Sequence, residues 1–111
     1  MAIKGKSDLS DTQLSEVARV FSSLAEPSRL KLLRALMQRS MTVSELIEAT
    51  GMRQGNVSKH LSVLSAAGFV GREPEGNFVR YSLTDPTVLN LCALMCARVE
   101  EHARKKLQAL R

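Results

Sequence analysis

Residues 51–64 read GMRQGNVSKHLSVL, from Gly51 to Leu64, and how this stretch is read decides the fold. It opens with a glycine and a short polar connection, then becomes helical at Gln54 or Gly55. Val57, Leu61 and Leu64 recur at i, i+4 and i+7, the spacing of one core-facing helical stripe. Gln54, Asn56, Ser58, Lys59 and Ser62 occupy the rest of the surface. Amide, hydroxyl and ammonium groups on one helix face match the hydrogen-bonding groups of base edges and phosphates. The stretch predicts a DNA-recognition helix.

Immediately upstream, Thr42 and Glu45 stand at capping-box spacing, so Thr42 begins a short helix. Val43, Leu46 and Ile47 face inward along it, and Gly51 ends it in the left-handed conformation glycine adopts at little cost. Two short helices joined by a glycine-containing turn, the second polar outside, form the helix-turn-helix pattern. Before them, Pro27 suits the first turn of another helix, with Leu30, Leu33, Ala35, Leu36 and Met37 as its apolar face and Gln38-Arg39-Ser40 as its end. Leu14, Val17, Ala18, Phe21 and Leu24 mark a first helix from about Asp11, with Ser10 or Asp11 as its cap.

Downstream of Ala66-Ala67-Gly68 the period changes from helical to alternating. Residues 69–73 form a short strand, Glu75-Gly76-Asn77 a turn, and Phe78 to Leu83 a second strand. A hairpin beside a helix-turn-helix is a wing, here with Arg72 and Arg80 on its flanks. Asp85 or Thr84 then caps a last helix that has Pro86 in its first turn and reaches about Leu110. Its apolar stripe of Val88, Cys92, Met95, Cys96, Val99, Ala103, Leu107 and Leu110 is longer than one small domain can cover, so a partner helix is expected. The prediction is α-α-α-α-β-β-α: a flexible segment at residues 1–10, then one domain over 11–111.

At 111 residues the chain is long enough for one domain, and 44% hydrophobic with 24% charged residues excludes a disordered or fibrous class. No apolar run approaches the roughly 18 residues that span a bilayer. The opening MAIKGKSDLSD lacks the apolar segment of a signal peptide, so a cytoplasmic location is expected. The net charge of +5 favours polyanions without identifying one.

Three segments in order, LAEPSRLKLLRAL, MTVSELIEATGMRQGNVSKHLSVLSAAGFV and GNFVRYSL, resemble the ArsR/SmtB family of bacterial winged-helix repressors over about residues 14 to 99. The resemblance implies a homodimer joined through its first and last helices, with two recognition helices presented to double-stranded operator DNA. A dyad with those helices roughly one duplex turn, about 34 Å, apart requires a near-palindromic site. On this basis Gln54 and Asn56 take base-edge or backbone roles, Ser58 a phosphate or base contact, and Arg53, Lys59 and Arg80 phosphate contacts. Arg72 joins them from the wing. His60 is either packed inside or bonded to phosphate. Gly55 stands where the family often carries a small hydroxyl residue.

The departures from the family concern its inducer sites. The third helix, VSELIEAT, has no cysteine, and the last offers Asp85, Thr87, His102 and Lys105 where a zinc site needs an Asp/His cluster. Cys92 and Cys96 remain, one helical turn apart. That spacing leaves Cβ atoms about 5–6 Å apart, against roughly 3.5–4.5 Å for a disulfide. Across a dyad four thiols could converge on a soft ion such as As(III) or Sb(III), or be oxidised or persulfidated. No cofactor is otherwise required. Three other readings compete: structural cysteines in a ligand-independent regulator, a protein- or RNA-binding module, and a thiol redox protein. The last lacks a Cys-x-x-Cys, a βαβ pattern and an activating histidine, so no enzyme is predicted.

Overall fold

The computed structural model describes residues 8–110. In chain order the elements are α1 (Asp11–Leu24), α2 (Pro27–Gln38), β1 (Met41–Thr42), α3 (Val43–Thr50), α4 (Gln54–Ala66), β2 (Val70–Glu75), β3 (Phe78–Leu83) and α5 (Pro86–Ala109). This is a mainly helical winged helix-turn-helix with a small antiparallel sheet. Of the flexible segment expected at residues 1–10, residues 1–7 lie outside the described residues, as does the basic Arg111.

The helix boundaries follow from local chemistry. Ser10 caps α1 in a capping box with Gln13. The Glu26 side chain caps α2 by accepting from the Ser28 and Arg29 amides, and Pro27 fills the first turn. Thr42 and Glu45 form the expected box on α3, and Gly51 closes it at φ 71°. Asp85 caps α5 by accepting from the Thr87 and Val88 amides.

The sheet has three strands, in the order β1-β3-β2. The sequence reading missed β1, which pairs Met41 with Tyr81 and Thr42 with Arg80. Two residues are too few to show an alternation, so only the partner strand reveals them. The wing is longer than expected: β2 runs on through Pro74 to Glu75, which pairs with Phe78 across a Gly76-Asn77 loop. Pro74 is tolerated because β2 is an edge strand. Gly76 takes the positive φ, 61°, that such a tight loop requires.

The core lies where α2, α3 and α4 meet the sheet. Leu32, Leu33 and Leu36 of α2 join Leu46, Val57, Leu61, Leu64, Phe69, Val70 and Tyr81, with Leu24 and Val88 contributed by the two outer helices. On α2 the expected apolar face needs correction, because Leu32 is fully buried whereas Leu30 and Met37 are exposed. Leu30 and Met37 lie a heptad apart on one line of the helix, and that line faces away from α3 and α4.

Helices α1 and α5 barely join this core. Leu14, Val17 and Phe21 are exposed on α1, as are Leu94, Met95, Val99 and Leu107 on α5. The Cα radius of gyration is 16.7 Å, whereas a compact chain of this length has about 13 Å. The excess reflects helices that extend beyond the core. None of the described helices is long and apolar enough to cross a membrane.

Candidate nucleic-acid interface

Helix α4 is held from behind. Val57, Leu61 and Leu64 are at most 1% exposed, and burying each such side chain contributes about 1.5–3 kcal/mol. Its other side is open. Arg53, Gln54, Gly55, Asn56, Ser58, Lys59 and Ser62 are all exposed, with Gly55, Lys59 and Ser62 at i, i+4 and i+7 down the middle of that face. Gln54 and Asn56 flank it in the first turn. Arg53 is the N-cap in extended backbone, and no side chain bonds the first amides of the helix. Those amides and the positive end of the helix dipole are therefore available to an anion. A Cβ built on Gly55 would meet nothing within 4 Å. The missing hydroxyl at this position is a matter of sequence, not of space.

His60 is the exception among the expected contacts. It is 8% exposed and belongs to the inner face of α4. Its Nε2 stands 3.4 Å from Glu26 Oε2 at the start of α2, and its Nδ1 is buried with no hydrogen-bond partner among the described residues. As a direct DNA contact His60 is set aside; the packed alternative describes it.

The Arg80 guanidinium, for which a phosphate contact was expected, is already engaged within the chain. Nη1 donates to the Ser40 carbonyl at 3.1 Å and to Glu45 Oε1 at 3.2 Å, and Nη2 donates to Glu75 Oε1 at 3.1 Å. Nε donates to the second Glu75 oxygen. Glu45 in turn accepts from the Thr42 amide and from Arg39. These bonds, with that of Thr42 first, lower the Glu45 carboxyl from 4.5 to about 2. The bond from Arg80 likewise lowers Glu75, and Glu75 is the main cause that raises Arg80. Arg80 is a strut between the wing and the cap of α3. The capping box was legible in sequence, but its link to Arg80 was not.

Arg72 remains exposed, with its guanidinium 5.8 Å from the centre of the Tyr81 ring, a cation–π contact. At the wing tip Phe78 is 62% exposed, and no sequence pattern had singled it out. Arg53, Gln54, Asn56, Ser58 and Lys59 thus share one surface on α4, while Arg72 lies on the wing.

Cys92 and Cys96 are both free thiols, the first half-buried and the second exposed. Partial burial, and then the neighbouring Cys96, push the Cys92 thiol up. Among the described residues no three His, Cys, Asp or Glu side chains cluster as metal ligands. Asp85, the nearest acidic residue to the start of α5, is committed to capping it.

Comparison with known proteins gives a consistent result. A family profile described as "Bacterial regulatory protein, arsR family" matches residues 26–71, from the cap of α2 into β2. The probable mercury resistance operon repressor of Streptomyces lividans is 41% identical over 83 residues, 75% of this chain and 66% of that protein. The chain therefore spans about two thirds of that relative's length. Among solved structures, the AntR antimony-specific transcriptional repressor superposes with a TM-score of 0.80 at 29% identity, over 94% of this chain and 97% of its own. The homodimeric winged helix-turn-helix DNA-binding domain of Mb0332 from Mycobacterium bovis, a possible ArsR-family regulator, gives 0.78 at 33% identity, over 93% and 95%.

Proposed function

Because the chain belongs to the arsR family of bacterial regulatory proteins, we propose that it is a homodimeric, sequence-specific repressor that leaves a near-palindromic operator when a thiol-directed inducer reaches Cys92 and Cys96. Members of this family are DNA-binding transcriptional regulators, not enzymes. The observation that carries the reading is the division of α4: a fully buried apolar face behind an exposed face of Arg53, Gln54, Asn56, Ser58 and Lys59.

In this reading Gln54 and Asn56 address base edges, while Ser58, Lys59, Arg53 and the open amides of α4 hold phosphates. Arg72 reaches the backbone from the wing, and Arg80 sets the wing's angle. The uncovered apolar faces of α1 and α5 meet those of a second copy, as the homodimeric relative suggests by its description. The dimer acts in the cytoplasm on double-stranded DNA.

The names of two relatives refer to mercury resistance and to antimony. Both elements favour thiolate ligands. One chain supplies only two thiols, so a three-sulfur site for As(III) or Sb(III) would draw on the partner's α5. A second reading is favoured by the half-buried Cys92, which lies against the core: both cysteines are structural fillers and the regulator needs no ligand. Titrating the reduced protein–operator complex with arsenite, antimonite, mercuric ion, zinc, peroxide and polysulfide separates the two. Release that a Cys92→Ser/Cys96→Ser variant abolishes supports the inducer site. Release by none of them supports the second reading, and release that the double variant retains contradicts both.

A further inference from the structure

The contact between His60 and Glu26 does more than fill the core. An apolar residue of similar size would fill the same space without leaving a buried nitrogen unpaired, an arrangement that costs about 1–3 kcal/mol. The partner atom is unusually well fixed. Glu26 Oε2, which faces His60 Nε2 at 3.4 Å, also accepts from the Ser28 amide at 3.0 Å and the Arg29 amide at 3.3 Å. The Glu26 backbone N–H donates to the Leu24 carbonyl at 2.8 Å, closing the tight turn that joins α1 to α2. One residue thus ties the end of α1, the first turn of α2 and the inner face of α4 together.

On α4, His60 directly follows Ser58 and Lys59 and lies about 100° around the helix from Lys59. A small rotation of α4 about its axis would move Gln54, Asn56 and Lys59 relative to any duplex in front of them. The close-packed contacts of Val57, Leu61 and Leu64 hold α4 against the core, and a polar contact beside them adds a further constraint on its rotation. The 3.4 Å approach of His60 Nε2 to Glu26 Oε2 ties one point of α4 to a carboxylate that the Ser28 and Arg29 amides hold in place. We propose that His60 is a positioning residue which, through Glu26, sets the rotation of α4 relative to the α1–α2 junction, and so sets base specificity rather than overall DNA affinity. The proposal rests on the DNA-reading function above. It also gives the outer helices a physical route to the recognition helix, since Glu26 follows α1 after the single residue Ala25.

The experiment uses two probes: a duplex selected by the wild-type protein from a randomised pool, and a scrambled duplex of the same composition. Failure of the wild type to enrich any duplex would overturn the DNA-reading function itself, and that result is available before any variant is made. His60→Leu, which fills the volume without a polar atom, is expected to bind the selected duplex about tenfold more weakly, through loss of the close approach to Glu26, and the scrambled duplex within about twofold of wild type. His60→Gln, which can place an N–H toward Glu26, recovers most of the loss. In a Glu26→Gln background, His60→Leu adds little, because the two residues act as one contact. An unchanged selected-to-scrambled ratio in His60→Leu, equal loss on both probes, or additive losses in the double variant overturns the proposal. If His60→Leu does not fold, Glu26→Asp decides, since Asp still caps α2 but withdraws the carboxylate from His60 by one methylene: a lowered selected-to-scrambled ratio supports the proposal and an unchanged ratio overturns it.

Discussion

Helix α4 has 13 residues and buries Val57, Leu61 and Leu64 completely, whereas α5 has 24 and buries only Val88. Both carry an apolar stripe at helical spacing. On α4 the stripe is covered by α2, α3 and the sheet, and the polar remainder is left to face outward. On α5 the stripe past Cys92 is itself exposed, with Met95 at 48% and Val99 at 62%. A stripe therefore identifies a helix face that needs cover, and only the surrounding structure shows whether the chain itself provides it. In α4 the informative residues are those off the stripe. In α5 they are those on it.

The sharpest way to break this contrast is to cut both stripes. Leu61→Ala is expected to destabilise the domain by about 2–5 kcal/mol at any protein concentration, because it opens a cavity in a filled core. Chemical denaturation at two concentrations tests this. Met95→Glu combined with Val99→Glu should instead leave the folded head intact, with equal circular dichroism at low concentration, and shift the sedimentation of the chain to that of a monomer. Paired copies would otherwise bury charges against apolar surface. If this variant unfolds at every concentration, the α5 stripe belongs to the chain's own core.

Within α4 the exposed residues should differ among themselves. Gln54→Ala is expected to cost about 1–3 kcal/mol on the selected duplex and to relax the preference at one position, provided its contact is bidentate to a base. Lys59→Ala should weaken all duplexes alike and reduce the salt slope by about one. Equal effects of Gln54→Ala on specific and non-specific duplexes would contradict the base-edge role.

Acid tests the wing strut. Glu45 is depressed from 4.5 to about 2 in the folded protein, so its contribution is fully present above the unfolded value of 4.5 and is lost as pH falls toward 2. Thermal melts from pH 6 to pH 2 should show a decline that Glu45→Gln removes in part. A Glu45→Gln profile parallel to wild type would mean that the contacts to Thr42, Arg39 and Arg80 do not hold in solution. The smallest expected change is Gly55→Ala, worth about 0.5–1 kcal/mol in favour of the helix, since nothing lies within 4 Å of the added Cβ. A calorimetric melt that fails to rise would point to a need for glycine at this place.

What was legible in the sequence was local. Thr42 with Glu45, Gly51, Pro27 and the Val57-Leu61-Leu64 spacing each depend on residues within a turn or two, and they placed α2, α3 and α4. The errors lie where distant residues meet. Strand β1 exists only because Met41 finds Tyr81. Arg80 reads as a free cation until Glu45, 35 residues earlier, is beside it. His60 sits between an outward Lys59 and an inward Leu61, and the 3.6-residue period alone leaves such a boundary position undecided until Glu26 appears opposite it. On α2 the choice between Leu30 and Leu32 turned on which side α3 and α4 occupy. Cys92 and Cys96 were legible as a pair, and in the folded chain they are two free thiols.

DNA reading by a dimer is tested most directly by selecting duplexes from a randomised pool with the protein and measuring the number of chains on the enriched duplex by sedimentation. The expected result is a near-palindrome whose half-sites are about one duplex turn apart, bound by two chains. Enrichment of a sequence without two-fold symmetry, or one chain per duplex, would contradict it.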